Sequence, residues 1–553
     1  MSGSRVFLIC ALLSVAAVTK ALAQVRYVDA TADSGIRFRH TDGRSGRKYL
    51  PETLGSGAAF LDYDSDGDID LYIVNAADLP GAHSPSPPTN ALYRNDGSGH
   101  FDDVTAEAGV GHTGYGVGCA VADYDNDGRP DIYVTNYGAN VLYHNDGDGT
   151  FTDATAHAGV GDARWGTSCA FLDYDRDGFL DLYVVNYMEF STDRDERWET
   201  KGVRTYASPV DQIAGSVFVS EPDILYRNNG DGTFADVTAA AGITGRGLGL
   251  ALAVGDYDDD GDPDMHIAND MEPDFLYRNN GDGSFTNAAP FAGVAYDQDG
   301  MPGSGMGASF GDMDNDGRLD LVVSNAAAAP ALVFRNEGLG MFADVSFPSG
   351  VGQVTLPRFQ WSAEFLDYDN DGQSDIYIAS GHLQDNIALF SDESYAQPDV
   401  LLRNRGDGRF ADVSVETGVA ALTVEVSRGV AAGDIDNDGD VDLFLTNSNR
   451  AARLLRNDGG AANQWLMCRT VGTVSNRDGI GARIRVVAGG LSQVKEVRSG
   501  SGYLSQGDLR VLFGLGRHAT AELVEVRWPT GLVDRWRDVP APQIMTLTEG
   551  EGR

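Results

Sequence analysis

The sequence predicts an all-β protein: a seven-bladed β-propeller closed by its own N-terminal strand, followed by a small C-terminal β-sandwich. Three observations lead there. The string D-x-D-x-D-G-x-x-D occurs seven times, beginning at Asp62, Asp123, Asp173, Asp256, Asp312, Asp367 and Asp434. Each copy runs into a short apolar stretch of the kind that forms a buried strand. The copies start 61, 50, 83, 56, 55 and 67 residues apart, as expected of one repeated unit carrying loops of variable length.

The second copy shows the unit most plainly. Residues 117–122 read as a strand of small residues, the Asp loop follows, and 131–136 (DIYVTN) read as a second strand. Residues 141–144 (VLYH) make a third, 145–149 (NDGDG) a Gly-rich hairpin turn, and 151–155 (FTDAT) a fourth. Four short strands per unit, repeated radially, describe a propeller blade. Fourth strands begin at Phe101, Phe151, Phe234, Phe285, Phe342 and Phe410, and none follows 454–457. The missing copy stands at the other end of the chain, as 27–31 (YVDAT) with Gly35 and Ile36. The N-terminal strand is therefore expected to complete the last blade and pair edges that would otherwise lie open.

Composition divides the chain. Residues 1–23 read as a signal peptide: Arg5, an apolar run over 6–18, then Ala21-Leu22-Ala23 before Gln24. Residues 24–460 carry the repeats, and 461–553 alternate in stretches such as 482–487 and 523–528, a β-domain of different plan. The net charge of −41 argues against a nucleic-acid partner. It is uneven: the last 93 residues carry 12 Lys and Arg against 9 Asp and Glu, net +3, and the rest 29 against 73, net −44. Beyond the leader, Cys119, Cys169 and Cys468 form no disulfide scaffold; the first two sit at equivalent repeat positions and read as small buried residues first, a bridge second.

Each Asp loop packs hard oxygen ligands onto a tight turn, the chemistry Ca²⁺ takes. The expected ligands are the side chains at positions 1, 3, 5 and 9 and the carbonyl at position 7. These are Asp62, Asp64, Asp66 and Asp70 with Asp68; Asp123, Asp125, Asp127 and Asp131 with Arg129; and Asp173, Asp175, Asp177 and Asp181 with Phe179. The fourth and fifth sets are Asp256, Asp258, Asp260 and Asp264 with Asp262, and Asp312, Asp314, Asp316 and Asp320 with Arg318. The last two are Asp367, Asp369, Asp371 and Asp375 with Gln373, and Asp434, Asp436, Asp438 and Asp442 with Asp440. An EF-hand needs an acid at position 12, and here that position is apolar in every copy, from Ile73 to Leu445. Four carboxylates about 5 Å apart repel by roughly 5 kcal/mol even at water's dielectric, so up to seven Ca²⁺ ions are expected as structural fasteners.

Arg405-Gly406-Asp407 spells an adhesion tripeptide, but the repeated hairpin R-N-x-G-D-G accounts for it. No metalloprotease helix motif or phosphate-binding Gly loop is present, which leaves catalysis by an unfamiliar constellation open. Long insertions separate strands two and three of blades 1 (76–91), 3 (187–224) and 6 (380–399). In a propeller these share the face opposite the Asp loops. The loop 37–50 on that face holds the clearest basic cluster, Arg37, Arg39, His40, Arg44, Arg47 and Lys48. An anionic ligand and a solvated loop offsetting the ring's charge explain it equally well. Trp165, Trp361 and His382 belong to the same end, with buried packing at least as good a reading for the Trp residues.

The repeats resemble FG-GAP/VCBS repeats, the calcium-loop blades of integrin-α-like seven-bladed propellers. The tail resembles the ASPIC/UnbV domain through 476–482 (NRDGIGA), 501–506 (SGYLSQ), 513–516 (FGLG) and 526–531 (VRWPTG). The resemblance implies secretion and calcium at the Asp residues named above; it implies no enzymatic activity. The expectation is an exported calcium-binding scaffold that takes a protein or glycan partner on its insertion face. The alternatives are an extracellular enzyme, polysaccharide-acting or biosynthetic, using that face, and an assembly module working through its tail.

Overall fold

The computed structural model describes residues 25–193, 198–207, 218–326, 329–459 and 463–552; the expected signal peptide, residues 1–23, lies outside them. Seven four-stranded antiparallel sheets follow one another along the chain, each with its strands in chain order except the last. In blade 2 the strands are Gly116–Ala122, Asp131–Asn136, Val141–Asn145 and Phe151–Asp153. A one-turn helix, Thr155–Ala158, then stops at Gly159 in the left-handed conformation. The innermost strands are wholly or almost wholly buried and rich in Gly, Ala, Ser and Cys, because only small side chains fit where the sheets converge. Each inner strand touches the next around the circle, and that of blade 7, Ser427–Gly433, touches Ala58–Leu61 of blade 1. Six inner strands shift register two to three residues in, as between Gly116 and Cys119, a bulge that increases local twist.

The ring closes as expected. Arg26–Asp29 pairs antiparallel with Arg453–Asp458 as the outer strand of the last sheet, Tyr27 opposite Asn457. A second device was hidden in plain repetition. Every third strand carries an Asn at or near its end, and each of these amides donates to a backbone carbonyl of the preceding blade. The bonds are Asn145 to Tyr63, Asn228 to Tyr124, Asn279 to Tyr174, Asn336 to Tyr257, Asn404 to Met313 and Asn457 to Tyr368, at 2.7–2.9 Å. Asn95 of blade 1 donates to Ile435 of blade 7 at 2.7 Å and so staples the first blade to the last. Cys119 and Cys169 are free, buried thiols on neighbouring inner strands.

The tail is a two-sheet sandwich. One sheet holds Val511–Gly516, Gln464–Val471 and Gln543–Thr548, the last two parallel; the other orders Leu491–Glu496, Arg483–Ala488, Thr520–Arg527 and Val533–Pro540. Leu466, Ile484, Val486, Phe513, Val524, Val526 and Trp528 fill the space between the sheets. One tail segment leaves the sandwich. Residues 499–508 run into the centre of the ring and bond to its inner strands. Gly502 exchanges two 3.0 Å bonds with Ala308, Cys119 donates to the Leu504 carbonyl at 3.1 Å, and Gln506 donates to Ala58 at 3.0 Å. The Tyr503 hydroxyl reaches the Leu54 carbonyl at 3.1 Å. Gly57 is glycine because of this plug: a Cβ there would lie 1.6 Å from the Leu504 carbonyl oxygen.

Candidate metal centres and the insertion face

All seven Asp loops share one hydrogen-bond frame. The position-9 aspartate accepts from the amide of position 2 and from the amide of the third-strand Asn. Asp70, for example, takes Tyr63 at 3.0 Å and Asn95 at 2.8 Å, and the same pair of bonds recurs at Asp131, Asp181, Asp264, Asp320, Asp375 and Asp442. The position-1 aspartate of blades 2 to 7 accepts the amides of positions 5 and 6; Asp123 takes Asp127 at 2.9 Å and Gly128 at 2.7 Å. The residue at position 4 adopts a left-handed φ in every loop, 57° at Asn437 for example. From there Asn126, Arg176, Asn315, Asn370 and Asn437 reach the next loop of the circle, contacting the Gly178 carbonyl, Asp262, Gln373, Asp440 and Asp68. The position-7 side chains thus receive latches, while Arg129 and Arg318 donate to the Asn145 and Asn336 carbonyls at 2.9 and 3.0 Å.

The carboxylates converge. Donor oxygens of Asp62, Asp64 and Asp66 lie within 4.8 Å of one another, as do those of Asp123, Asp125 and Asp131, of Asp173, Asp175 and Asp181, and of Asp256, Asp258 and Asp260. At position 3, the Oδ1 atoms of Asp175, Asp258, Asp369 and Asp436 are buried with no hydrogen-bond partner. A buried acceptor without a donor is costly, and a cation held by the set would satisfy it. The donors fit a hard metal ion. Burial first, and then neighbouring carboxylates, push Asp70 and Asp320 up to about 8 and Asp173, Asp312 and Asp434 up to about 7.

The tail covers this face, which sequence reasoning missed. Asp478 accepts the Asp123 amide at 2.8 Å, and the Arg477 amide donates to Asn126 at 2.8 Å. Arg483 donates to the carbonyls of Asp256 and Gly317, and Arg527 pairs with Asp256 and Asp259. Arg510 reaches Asn437 at 2.7 Å and the Asp434 carbonyl at 3.0 Å. Asn463 donates to the Asp369 carbonyl at 2.8 Å. The one sequence signal for this docking was the charge split: a net-positive tail beside a strongly acidic ring.

On the opposite face the basic loop is mostly committed to its own surroundings. Arg37 donates to the Ile36 and Ala32 carbonyls and Arg39 to that of Asn449. His40 is buried, pushed down to about 3 by burial and by the Arg428 charge, and accepts the Asn449 amide at 3.0 Å. Arg44 pairs with Asp42 and Asp385 at 2.7 Å, Lys48 pairs with Asp385 while lying over the Tyr206 ring, and Arg47 reaches the Tyr49 hydroxyl at 3.4 Å. The structure brings Arg44 and Lys48 together and directs the other members elsewhere.

The insertions clasp one another across the mouth of the ring. In blade 3 a hairpin, Trp198–Thr200 with Val203–Thr205, leads to Tyr206, which trades bonds of 2.8 and 2.9 Å with Gln384 of blade 6 and donates to Glu52 at 3.0 Å. Lys201 donates to Phe390 and Asn386 to Arg204, both at 2.7 Å. Beneath this clasp lies a cavity of about 270 Å³, walled by Tyr187, Phe359, Trp361 and Phe390, with the Asp270 carboxyl and the His382 imidazole in its lining. Trp361 and His382 are buried, the indole donating to the Gly381 carbonyl at 2.7 Å. Behind Trp361, the fully buried Arg428 guanidinium stacks at 3.8 Å and donates to the Thr53 carbonyl at 3.0 Å. Burial pushes Asp270 up to about 6 despite the Tyr187 hydroxyl donating to it at 2.8 Å. A second, shallower cavity of about 500 Å³ beside blades 2 and 3 is lined by Tyr137, Trp165, Phe190, Arg164, Glu189 and Glu221. Asp270, Phe390 and Arg428 carried no motif and were invisible in the sequence.

Comparison with known proteins agrees with this architecture. The FG-GAP-like repeat profile matches residues 62–134, 123–184, 216–267, 256–323 and 384–445, together more than half of the chain. The chain belongs to the FG-GAP repeat family. After the FG-GAP repeats, residues 472–553 match the profile "ASPIC and UnbV". Among curated proteins the chain is similar to cartilage acidic protein 1, 28% identical to that of Homo sapiens and 27% to that of Mus musculus, each over 326 residues and 56% of this chain. These matches span 45% and 46% of the relatives' own length. Among solved structures, a lectin from Agrocybe aegerita described as recognising non-reducing terminal N-acetylglucosamine aligns with a TM-score of 0.39 and 17% identity, over 74% of this chain and 96% of its own. The BP39L lectin from Burkholderia pseudomallei aligns with a TM-score of 0.43 and 10% identity, over 74% of this chain and 98% of its own. Among the described residues, no helix is long and apolar enough to cross a membrane.

Proposed function

We propose that this FG-GAP repeat protein is an exported, calcium-loaded binding scaffold whose partner, a protein or a glycan, docks on the insertion face. One observation carries this reading. The Asp-loop face is taken by the chain's own tail, whereas the insertion face is built from loops that interrupt the repeat and holds two cavities with aromatic walls. Aromatic faces beside a few polar groups suit sugar rings and protein side chains alike. The calcium reading rests on the all-oxygen donor sets and the unpartnered position-3 oxygens. Export rests on the leader sequence. Within the basic loop, the reading narrows toward Arg47, which is held by the Tyr49 hydroxyl at 3.4 Å rather than by an acid or a carbonyl.

The test is glycan-array and pulldown binding with the full chain and three variants: Tyr137→Ala, Phe390→Ala and Arg47→Glu. Binding is expected to fall in at least one variant whose melting temperature is unchanged. Undiminished binding in all three would overturn the insertion-face reading. A second reading has its own observation: the axial cavity joins a carboxyl pushed up to about 6, Asp270, to a histidine, His382. Release of reducing sugar from a polysaccharide, abolished in Asp270→Asn, would establish the enzyme instead.

A further inference from the structure

The repeat contains its own internal control. The third-strand residue before the stapling Asn is Arg in six blades, as Arg94, Arg227, Arg278, Arg335, Arg403 and Arg456, and is His144 in blade 2. In blades 3 and 6 that arginine sits on the carboxylates of loop positions 3 and 5. Arg227 lies 2.9 Å from Asp175 and 3.5 Å from Asp177; Arg403 lies 3.0 Å from Asp369 and 3.1 Å from Asp371. A guanidinium stays protonated and offers no lone pair, so it can neutralise those acids but never share a metal with them. An imidazole can.

In blade 2 the His144 ring occupies this place. Its Nδ1 is 3.4 Å from Asp125 and 3.2 Å from Asp131. That nitrogen is shielded from solvent and faces both carboxylates at ion-pair distance. One ligand atom each from Asp125, Asp127 and His144 fall within 4.8 Å of one another, and Asp125 also belongs to the all-oxygen group with Asp123 and Asp131. Asp127 is exposed and the other two half-buried, which leaves room for water to complete a coordination shell. Arg129 shares the Asp127 carboxylate and is anchored by the Asn145 carbonyl at 2.9 Å, so a bound metal ion would displace its contact with Asp127.

We propose that blade 2 carries, on the outer edge of its Asp loop, a mixed-donor site of Asp125, Asp127 and His144 for a divalent transition-metal ion. The chemistry decides the class: Ca²⁺ takes oxygen donors, whereas imidazole with carboxylates suits Mn²⁺, Co²⁺ or Zn²⁺. The proposal rests on reading the Asp loops as cation sites and adds a different ion at one of them.

The probe is Co²⁺, added to the full-length protein kept in saturating calcium and followed by visible absorption and by metal content after dialysis. The expected result is one Co²⁺ retained per chain with a ligand-field band. His144→Arg, which installs the residue of the other six blades, is expected to lose that equivalent and the band with calcium content and melting temperature unchanged. Asp127→Asn is expected to weaken Co²⁺ retention too, together with calcium binding, since Asp127 is also a donor of the calcium loop. No retained Co²⁺, or equal retention in His144→Arg, overturns the proposal. Absence of bound calcium in the same samples would sink the general loop reading, while a His144-dependent Co²⁺ equivalent would uphold this site on its own.

Discussion

Single residues do the joining in this ring, and the asparagines near the ends of the third strands show how. Asn95 is buried and spends its amide on two carbonyls, Ile69 at 3.0 Å and Ile435 at 2.7 Å, the second across the junction of the last blade with the first. Asn95→Ala would leave both carbonyls unpaired, and a loss of about 1–3 kcal/mol is expected. Urea denaturation of the purified variant measures it. A change within about 0.5 kcal/mol, the range of an ordinary surface substitution, would show that the staple carries no weight. Asp385 works similarly on the other face, holding Arg44 and Lys48, which is why a basic cluster in sequence is far less basic in space.

At the scale of elements, the plug formed by 499–508 joins two folds that the chain composition separates. Glu364, on the inner strand Gln360–Leu366, is a buried acid that touches it, accepting from Ser501 at 3.2 Å and Ser362 at 3.4 Å. Burial pushes Glu364 up to about 8 from an ordinary 4.5, with hydrogen bonds and the Arg498 charge opposing. A folded-state pKa above the unfolded value gives stability that is complete below about 4.5 and is lost as pH rises through about 8. Stability of the wild type should therefore fall by as much as a few kcal/mol between about pH 5 and pH 9 relative to Glu364→Gln, which keeps the acceptor and cannot ionise. Urea midpoints across that range test it; parallel profiles for the two proteins would refute the assignment.

For the molecule as a whole, the Asp face and the tail form one charged sandwich. The loops crowd carboxylates together, and tail arginines 483, 510 and 527 reach into them. If each loop holds Ca²⁺ at about 100-fold above its Kd, each contributes up to about 2.7 kcal/mol. Chelation with EDTA is expected to lower the melting temperature and to expose the tail to limited proteolysis at 499–508, and calcium is expected to reverse both. An unchanged melt in EDTA would remove the calcium reading. The insertion face needs none of these ions in its walls, so partner binding after chelation should fall only as the ring loosens.

Much of this was legible because repetition multiplies weak signals. One D-x-D-x-D-G loop is ambiguous, but seven, each followed by a strand at the same offset, leave little freedom, and the displaced fourth strand at 27–31 announced the closure. Local chemistry determined the loops, the strands and the ring. Tertiary structure decided everything that depends on residues distant in sequence: the plug in the channel, the tail over the Asp face, the clasp of Tyr206 with Gln384 and the neutralisation of Lys48 by Asp385. The physical reason is that a repeat dictates what each blade does to its neighbour. Insertions and the appended domain follow no period, and their contacts are set by shape and charge that exist only once the ring has closed.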